Sequence, residues 1–358
     1  MSGIPTGWCL RCMPSLKSEI HRLVMAKKTS PKRPAQKESS ADSTSDMNAL
    51  LRKLQEMLAG DSGQVIEKGD LYALMASLSG PSANDRLSDA EADAKDEAQQ
   101  LAFDAMEAET EAKARKLAKR ALKLDPDCVD ALLVMVRLDA RTPREHLEAL
   151  QKVVAAGERS LGARYIAENQ GHFWMLLETR PYMRALANLA EALRGQGIRL
   201  DAIKIYERML RLNPNDNQGA RDPLLGLYLE TGNLSEARRI LSRYKQDGSA
   251  NFAWARVLER LLAGNRKGAA IALAKARMAN RHLELFLTMQ RPLPKEPPEM
   301  YSPGSEEEAV LCLSYLSGAW AEHKEAASWL FEQLAENGAT VPSETLLKQL
   351  PVATGRVQ

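Results

Sequence analysis

Apolar residues recur every three to four positions along most of the chain after residue 47, and this spacing is typical of amphipathic helices. The first such stripe consists of Leu50, Leu51, Leu54, Met57 and Leu58. It ends at Gly60, and a second stripe over 71–78 ends at Gly80. Residues 81–95 are polar and acidic. The pattern therefore predicts short helices and an acidic linker over 47–95.

From residue 96 the helical pattern repeats itself. Three turn glycines lie 35 and 32 residues apart, and each is followed five positions later by an alanine. The glycines are Gly197, Gly232 and Gly264, and the alanines are Ala202, Ala237 and Ala269. A period near 34 residues, with two helices around a tight turn, resembles the tetratricopeptide repeat. Small alanines allow the two helices of each hairpin to approach closely. We therefore expect tetratricopeptide-like repeats over 96–285.

One repeat departs from this pattern and is followed by an insertion. Residues 129–161 form a degenerate repeat with its own helix start at Thr142, Pro143 and Glu145. An inserted segment over 162–180 then interrupts the period. Three of the chain's 18 aromatic residues lie at or beside this insertion, namely Phe173, Trp174 and Tyr182. A break in a helical stack exposes apolar faces, so we expect these three side chains to pack across the seam.

The C-terminal part follows a different pattern. Five prolines between 286 and 305 forbid a regular helix there and predict a linker. Ser305 and Glu308 then form a capping box, which predicts a helical pair over 306–338 and a loose tail over 339–358. The predicted architecture is all-α, a tetratricopeptide-like helical-hairpin solenoid with a C-terminal helical pair.

Composition narrows the class of protein. The chain is 44% hydrophobic and 27% charged with a net charge of +2, which suits a soluble globular protein and makes an obligatory nucleic-acid or membrane partner unlikely. No apolar run approaches the roughly 20 residues that span a bilayer. Four cysteines do not form a disulfide framework, so we expect a reducing, cytoplasmic location. Residues 1–46 are polar and basic and are predicted to be disordered.

Motifs for chemistry are few. The sequence contains no GxGxxG or GxxxxGK[ST] loop and no GxSxG elbow, and no two of its five histidines stand four residues apart. The pair Cys9 and Cys12 has no second ligand pair to complete a zinc site. We therefore expect no enzyme activity, no catalytic residue, no metal and no cofactor. A hydrolase with His172 and Glu178 at its centre is the least favoured alternative.

Three motifs resemble a more specific family. They are "GHFWMLLETRPYMRA", "RLNPNDNQGAR", and a Pro-rich stretch followed by "GSEEEA" and a helix with a tryptophan. Together they resemble the suppressor-of-tumorigenicity-seven family and its bacterial relatives over roughly residues 100–335. The resemblance implies a tetratricopeptide-like scaffold or adaptor without established catalytic activity. The membrane anchorage of animal members is not carried over, because this chain lacks such spans.

Binding of a protein or peptide partner is the predicted function. Stacked hairpins form a solenoid whose concave face is lined by the first helix of each pair. In the best-matched repeat Arg184, Asn188 and Glu191 share one helix side, and Asn217 and Arg221 stand four apart in the next. Two Arg–Asn pairs would suit a peptide carboxylate, to which arginine gives paired hydrogen bonds.

One further alternative remains open. A basic cluster in the N-terminal tail would serve a regulatory or nucleic-acid-associated accessory protein. The cluster consists of Lys27, Lys28, Lys32, Arg33 and Lys37.

Overall fold

The computed structural model describes residues 88–294, 298 and 300–335. The predictions for the tail over 1–46, for most of the segment over 47–95 and for the tail over 339–358 concern residues outside this range. From Ala90 onward the described residues belong to one compact unit. All of their regular secondary structure is helical.

The described chain contains fourteen α-helices and two short 3-10 helices. The α-helices are α1 (Asp89–Met106), α2 (Glu111–Leu124), α3 (Val129–Asp139), α4 (Pro143–Leu161), α5 (Ala163–Glu168), α6 (Arg180–Gly195), α7 (Arg199–Leu212), α8 (Arg221–Glu230), α9 (Leu234–Arg243), α10 (Ala250–Leu262), α11 (Arg266–Ala279), α12 (His282–Leu287), α13 (Glu306–Glu322) and α14 (Lys324–Ala335). The 3-10 helices are Phe173–Met175 and Leu177–Thr179.

The helices pack as consecutive hairpins. Helix α3 packs on α4, α6 on α7, α8 on α9, and α10 on α11. Helices α1 and α2 join α3 in an alanine-rich core cluster. Neighbouring hairpins stack directly, since α4 packs on α6, α7 on α8, and α9 on α10. These contacts confirm the predicted all-α solenoid of tetratricopeptide-like hairpins.

The three turn glycines have the same backbone geometry. Their φ values are 73° at Gly197, 71° at Gly232 and 72° at Gly264, in the left-handed region where a side chain is disfavoured. After each glycine the next amide reaches back to the helix, as in the 2.9 Å bond from the Ile198 N–H to the Leu193 carbonyl. This is the Schellman ending of a helix, and it reverses the chain at the same point of each repeat.

The alanines after these turns lie at the centre of the hairpin interfaces. Ala202, Ala237 and Ala269 are completely buried. Tyr206 and Leu273, four residues beyond two of them, are buried on the same helix face. A methyl side chain at these positions lets the paired helices approach, as the sequence pattern predicts.

Helix starts follow the local capping signals. Thr142 Oγ1 accepts a 3.1 Å hydrogen bond from the Glu145 N–H, and Ser305 Oγ accepts one of 3.2 Å from the Glu308 N–H. The Glu308 carboxylate in turn accepts a 2.7 Å hydrogen bond from the Gly304 N–H. These bonds satisfy amide groups that the first helical turn leaves without an intrahelical partner.

Two boundaries differ from those expected. Helix α1 begins at Asp89, inside the predicted acidic linker, because acidic residues near a helix N-terminus suit the helix dipole. Helix α12 crosses the expected boundary between repeats and linker at residue 285.

Candidate functional site

The first helices of the successive repeats define a surface that we call the first-helix groove. It is formed by α1, α3, α6, α8 and α10. Contacts within this row include those of α3 with α6 and of α8 with α10. In a tetratricopeptide-like solenoid this is the concave side, where fixed positions of each helix face a ligand.

Helix α13 occupies the groove over α8 and α10. It packs against both of these helices and against α12. The approach to α8 is very close, because a Cβ atom at Gly226 would lie only 2.0 Å from the Tyr315 carbonyl oxygen. Gly318 of α13 similarly leaves room for the Glu230 carboxylate, which would lie 2.8 Å from a Cβ atom there. Gly226 therefore permits direct contact with the α13 backbone, and Gly318 makes room for the Glu230 side chain between the two helices.

Polar and aromatic contacts fix α13 in this position. Arg194 of α6 donates a 2.6 Å hydrogen bond from Nη1 to the Ser314 carbonyl. His323 Nε2 lies 2.8 Å from the Leu229 carbonyl of α8, to which it donates. Trp254 of α10 and Trp320 of α13 meet edge to face, with ring centroids 6.5 Å apart. Helix α13 and the histidine that follows it thus contact the first helices of three successive hairpins, α6, α8 and α10.

A buried asparagine joins the same elements. Asn280 is 1% exposed, and its carbonyl accepts a 2.9 Å hydrogen bond from Trp254 Nε1. Its side-chain amide donates to the Ser305 carbonyl at 2.7 Å and to Glu308 Oε2 at 2.9 Å. Through its backbone carbonyl and its side-chain amide, this one residue connects α10 and the end of α11 to the start of α13.

A carboxyl group is enclosed between α8 and its neighbours. Asp222 Oδ1 accepts a 2.8 Å hydrogen bond from Asn251 Nδ2 of α10. Burial raises the pKa of Asp222 to about 7, against the hydrogen bond from Asn251 and the charge of Arg221, which lower it. Burial likewise raises the pKa of the Cys312 thiol on α13, with the Glu308 and Asp222 carboxylates adding to the effect. The covered part of the groove therefore holds an acid that titrates near neutral pH.

Arg184, predicted to contact a ligand, is engaged within the chain. Its guanidinium forms two hydrogen bonds with the fully buried Asp130 of α3, one of them 2.8 Å from Nε to Oδ1. Gln99 of α1 donates a further 2.7 Å bond to Asp130 Oδ2. This network links α1, α3 and α6 across the groove floor and accounts for Arg184 without a ligand.

The other predicted residues of α6 lie beside this network. The Asn188 side-chain amide donates a 2.8 Å hydrogen bond to the Arg184 carbonyl, and its side chain remains partly exposed. Glu191 accepts a hydrogen bond from the Tyr206 hydroxyl and pairs with Arg194 at 2.7 Å, with 35% of its side chain exposed. Arg184, Asn188 and Glu191 therefore lie along one side of α6, as the spacing requires.

The second predicted pair does not lie on one helix. Asn217 is exposed in the loop before α8, which begins only at Arg221. The delay arises because Asp216 and Gly219 both adopt positive φ, of 54° and 72°, and no helix continues through them. The Asp216 carboxylate then accepts hydrogen bonds from the N–H groups of Ala220 at 2.7 Å and Arg221 at 3.0 Å. The expectation that Asn217 and Arg221 share a helix face is therefore wrong.

Arg221 itself is held by two acids. Its guanidinium pairs with Asp216 at 3.1 Å and with Asp247 at 2.9 Å, and it lies over the Tyr244 ring at 5.2 Å. Only 26% of its side chain is exposed. Like Arg184, it has a complete set of partners inside the fold.

The groove remains uncovered by α13 over α1, α3 and the start of α6. Four side chains on these helices share the groove side and are at least partly exposed: Phe103, Leu133, Arg137 and Ala187. Their placement follows from helical spacing, since Phe103 is four residues from Gln99, Leu133 is three from Asp130, and Ala187 is three from Arg184. With Asn188 and Glu191 they form what we call the open groove.

The aromatic residues of the insertion pack as a wedge beside α6. Phe173 and Tyr182 are buried and meet edge to face, with ring centroids 6.3 Å apart. Trp174 lies half-buried under the Arg180 guanidinium at 5.1 Å. The Tyr182 ring also occupies the space beside Gly157 of α4, where a Cβ atom would lie 2.6 Å away. These contacts pack the inserted segment against α4 and α6, which themselves stack directly on each other.

The two residues considered for a hydrolase, His172 and Glu178, differ in their surroundings. His172 is exposed, whereas Glu178 accepts a 2.8 Å hydrogen bond from the Tyr165 hydroxyl. No group of three or more metal-ligating side chains is found among the described residues. None of the described helices has the length and apolarity to cross a membrane.

Sequence reasoning missed the residues that shape the groove. Asp130 was visible as an acid inside the apolar run "VDALLVMVRLD", and Gly226 as a glycine inside the helical run "LLGLYL". An isolated helix glycine with no turn beside it indicates close packing. The partner helix, 89 residues further along the chain at Tyr315, gave no signal of its own.

The hairpin geometry, the left-handed glycine turns and the buried alanines give this chain the fold of a tetratricopeptide-like helical repeat protein. In agreement, residues 193–261 match the family model described as tetratricopeptide repeat. A solved structure described as "Functional Characterization of Pseudomonas Aeruginosa pilF" is similar at 19% sequence identity, covering 52% of this chain and 92% of that chain with a TM-score of 0.29. No curated protein matches the chain significantly.

Proposed function

We propose that this protein is a protein-interaction scaffold that binds a peptide or a partner protein in the open groove. The observation that carries the proposal is the occupation of the neighbouring groove by α13, a helix of the same chain. The surface formed by successive first helices is therefore one on which a helix docks. The tetratricopeptide match over 193–261 supports a non-catalytic scaffold in general terms.

The chemistry of the open groove favours a partner with mixed character. Phe103, Leu133 and Ala187 offer apolar contact, whereas Asn188 and Glu191 offer hydrogen bonds and Arg137 offers a positive charge. An amphipathic helix with apolar residues at three- to four-residue spacing and a carboxylate near Arg137 would satisfy these groups. This is the same mode of contact that α13 uses on α8 and α10.

The resemblance of three motifs to the suppressor-of-tumorigenicity-seven family supports the same function, because the resemblance implies a scaffold.

The ligand role predicted for Arg184 and Arg221 needs a different test from that of the other predicted ligand residues. Both guanidinium groups are paired with buried acids, so substituting them would perturb the fold as well as any binding. Asn188, Glu191, Leu133 and Arg137 are the better probes.

The test is affinity capture with the full-length protein from its native cell, followed by mass spectrometry. We expect Leu133→Asp combined with Arg137→Glu to remove a specific partner, since a charge replaces an apolar contact and the cation is reversed. Met278→Asp is the matched control, because Met278 is an exposed apolar residue on α11, which does not line the groove.

Circular dichroism and thermal unfolding establish that each variant is folded. A partner that the wild type and the Met278 variant retain and the double variant loses supports the proposal. Capture of the same partners by all three proteins would place the binding surface elsewhere and reject the open groove.

A further inference from the structure

Helix α2 presents a second, chemically different surface. Its 14 residues contain six lysines and arginines and a single acid, Glu111, at the first position. Arg115 pairs with Asp139 of α3. The other five cations are exposed: Lys113, Lys116, Lys119, Arg120 and Lys123. Within the described residues none of these five takes part in an ion pair, so we call them the basic face of α2.

The basic face lies opposite the side of α2 that packs in the core. Ala114, Ala118 and Ala121 are buried, and at 100° per residue the five cations fall within an arc of about 120° on the other side. Apart from the cations this arc contains only Ala112. Protein surfaces normally intersperse both signs of charge, as α4 does with Arg144 beside Glu148. A single-sign face on one rigid helix is therefore a feature to explain.

The ends of α2 limit the size of its partner. From Lys113 to Lys123 the face is about 15 Å long, because a helix rises 1.5 Å per residue. Acids precede it at Glu107, Glu109 and Glu111, and others follow it at Asp125 and Asp127. A polyanion much longer than this face, such as a DNA duplex or an anionic bilayer, would meet these acids at both ends. A short acidic segment would not.

The side chains on the face also argue against the longer polyanions. There is no aromatic residue in the arc on which a nucleic-acid base could stack. Ala112 within the arc and Leu124 beside it, 39% exposed at the C-terminal end, are the apolar side chains here, which is too little for insertion into a membrane surface. Cations at three- and four-residue spacing instead match carboxylates at the same spacing on a partner helix or strand.

We propose that the basic face of α2 docks an acidic protein segment of about ten residues, whose carboxylates pair with the cations along the helix. This surface is separate from the open groove. α2 packs on α3 but is not one of the five helices that form the groove. A scaffold with both surfaces would hold two partners, or two parts of one partner, at once.

The experiment uses the full-length protein and a fluorescein-labelled 12-residue peptide of glutamate and alanine, with glutamates at three- and four-residue spacing. A peptide with glutamine in place of glutamate measures binding without charge. The variant combines Lys113→Gln, Lys116→Gln, Lys119→Gln and Arg120→Gln. The control combines Lys152→Gln, Lys245→Gln, Lys267→Gln and Lys275→Gln, which removes the same net charge from exposed lysines elsewhere.

We expect fluorescence anisotropy at low salt to show binding of the glutamate peptide, weakened about tenfold or more by the α2 variant and less than about twofold by the control. Glutamine substitutions keep the helix propensity near that of lysine, so circular dichroism should show unchanged helicity. Equal weakening by both variants would mean that net charge alone attracts the peptide, and it would overturn the proposal.

Two parallel measurements use a 20-base-pair DNA duplex and vesicles of phosphatidylserine and phosphatidylcholine. Tighter binding of either one than of the acidic peptide, again lost in the α2 variant, would replace the acidic segment with that polyanion. Neither result bears on the open groove, whose test uses different variants. The two proposals can therefore fail separately.

Discussion

The buried pair of Arg184 and Asp130 is the residue-scale feature with the largest expected effect on stability. Asp130 is fully buried, and Arg184 supplies its opposite charge. Removing one partner of such a pair leaves an uncompensated charge in the interior. We therefore expect Arg184→Ala to lower the free energy of unfolding by about 3 kcal/mol in urea denaturation.

Arg144→Ala is the control for this measurement. Arg144 also pairs with a carboxylate, that of Glu148, but 88% of its side chain is exposed. We expect its unfolding midpoint to equal that of the wild type, because exposed pairs contribute little. Equal behaviour of the two variants would contradict the structural role of Arg184 and restore it as a ligand residue.

Asp222 makes stability depend on pH. Burial raises its pKa from 3.8 to about 7, so the folded state binds the proton more tightly than the unfolded chain does. The stabilisation from this proton is complete below about pH 4 and is lost as the pH rises through 7. We expect the free energy of unfolding to fall between pH 5 and pH 8, and Asp222→Asn to be more stable than the wild type at pH 8 by up to about 4 kcal/mol.

The neighbouring Asp247 makes stability depend on pH in the opposite direction. Burial raises its pKa, but hydrogen bonds from Ser249 and Arg221 outweigh this effect and leave the pKa below its usual value. Its stabilisation is therefore present above that usual value and is lost on acidification. Urea unfolding from pH 5 to pH 8 should show Asp222→Asn flattening the profile, whereas Asp247→Asn, which removes one charge that raises the Asp222 pKa, should keep most of the slope. An unchanged slope in the Asp222 variant would rule out this carboxyl as its source.

At the scale of elements, the contact of α8 with α13 depends on a single missing side chain. A Cβ atom at Gly226 would overlap the Tyr315 carbonyl, and a backbone atom cannot move aside as a flexible side chain can. Alanine favours the helix by up to about 1 kcal/mol, but overpacking costs about 1–3 kcal/mol. We expect Gly226→Ala to destabilise the protein and to increase proteolytic cleavage in the linker over 286–305.

Gly195→Ala tests whether this effect is steric. Gly195 is also helical, at the end of α6, but no heavy atom lies within 4 Å of the position where its Cβ would be. Its replacement should be neutral or slightly stabilising in thermal unfolding. If both variants melt alike, α13 does not approach α8 as closely as described.

Elements differ in how far their own sequences predict them. The turns at Gly197, Gly232 and Gly264 were predictable, because each needs a left-handed residue at a fixed place after an apolar helix. Caps such as Thr142 and Ser305 were predictable for the same reason, since the donor and acceptor lie three residues apart. The start of α8 was not, because it depends on the positive φ of Asp216 and Gly219 in the loop before it.

At the scale of the whole molecule, α13 divides the first-helix groove into two parts. The part over α8 and α10 is filled by α13, whereas side chains over α1, α3 and α6 stay partly exposed among the described residues. A helical repeat protein whose groove were entirely open would offer all of its first helices to a partner. Under the proposed function a partner would bind the N-terminal half of the groove, and the basic face of α2 belongs to the same half of the described chain.

The sequence predicted only part of the candidate site. Spacing along one helix can be read from the sequence, whereas contacts between distant elements cannot. Helical spacing correctly placed Arg184, Asn188 and Glu191 on one side of α6, since that spacing is a local property. It did not reveal that Arg184 is paired, because Asp130 lies 54 residues earlier in the chain. Whether a surface arginine meets a ligand or a buried acid depends on contacts between distant elements.

Local patterns account for the helices, the turns and the repeat, because these follow from hydrophobic periodicity, glycine conformation and capping within a few residues. Which part of the groove α13 covers depends on tertiary packing, because this helix lies beyond the proline-rich linker and docks on distant helices. The docking rests on contacts such as that of Gly226 with Tyr315 and that of Arg194 with the Ser314 carbonyl, 120 residues apart. Such contacts arise from packing between distant segments, which no local pattern encodes.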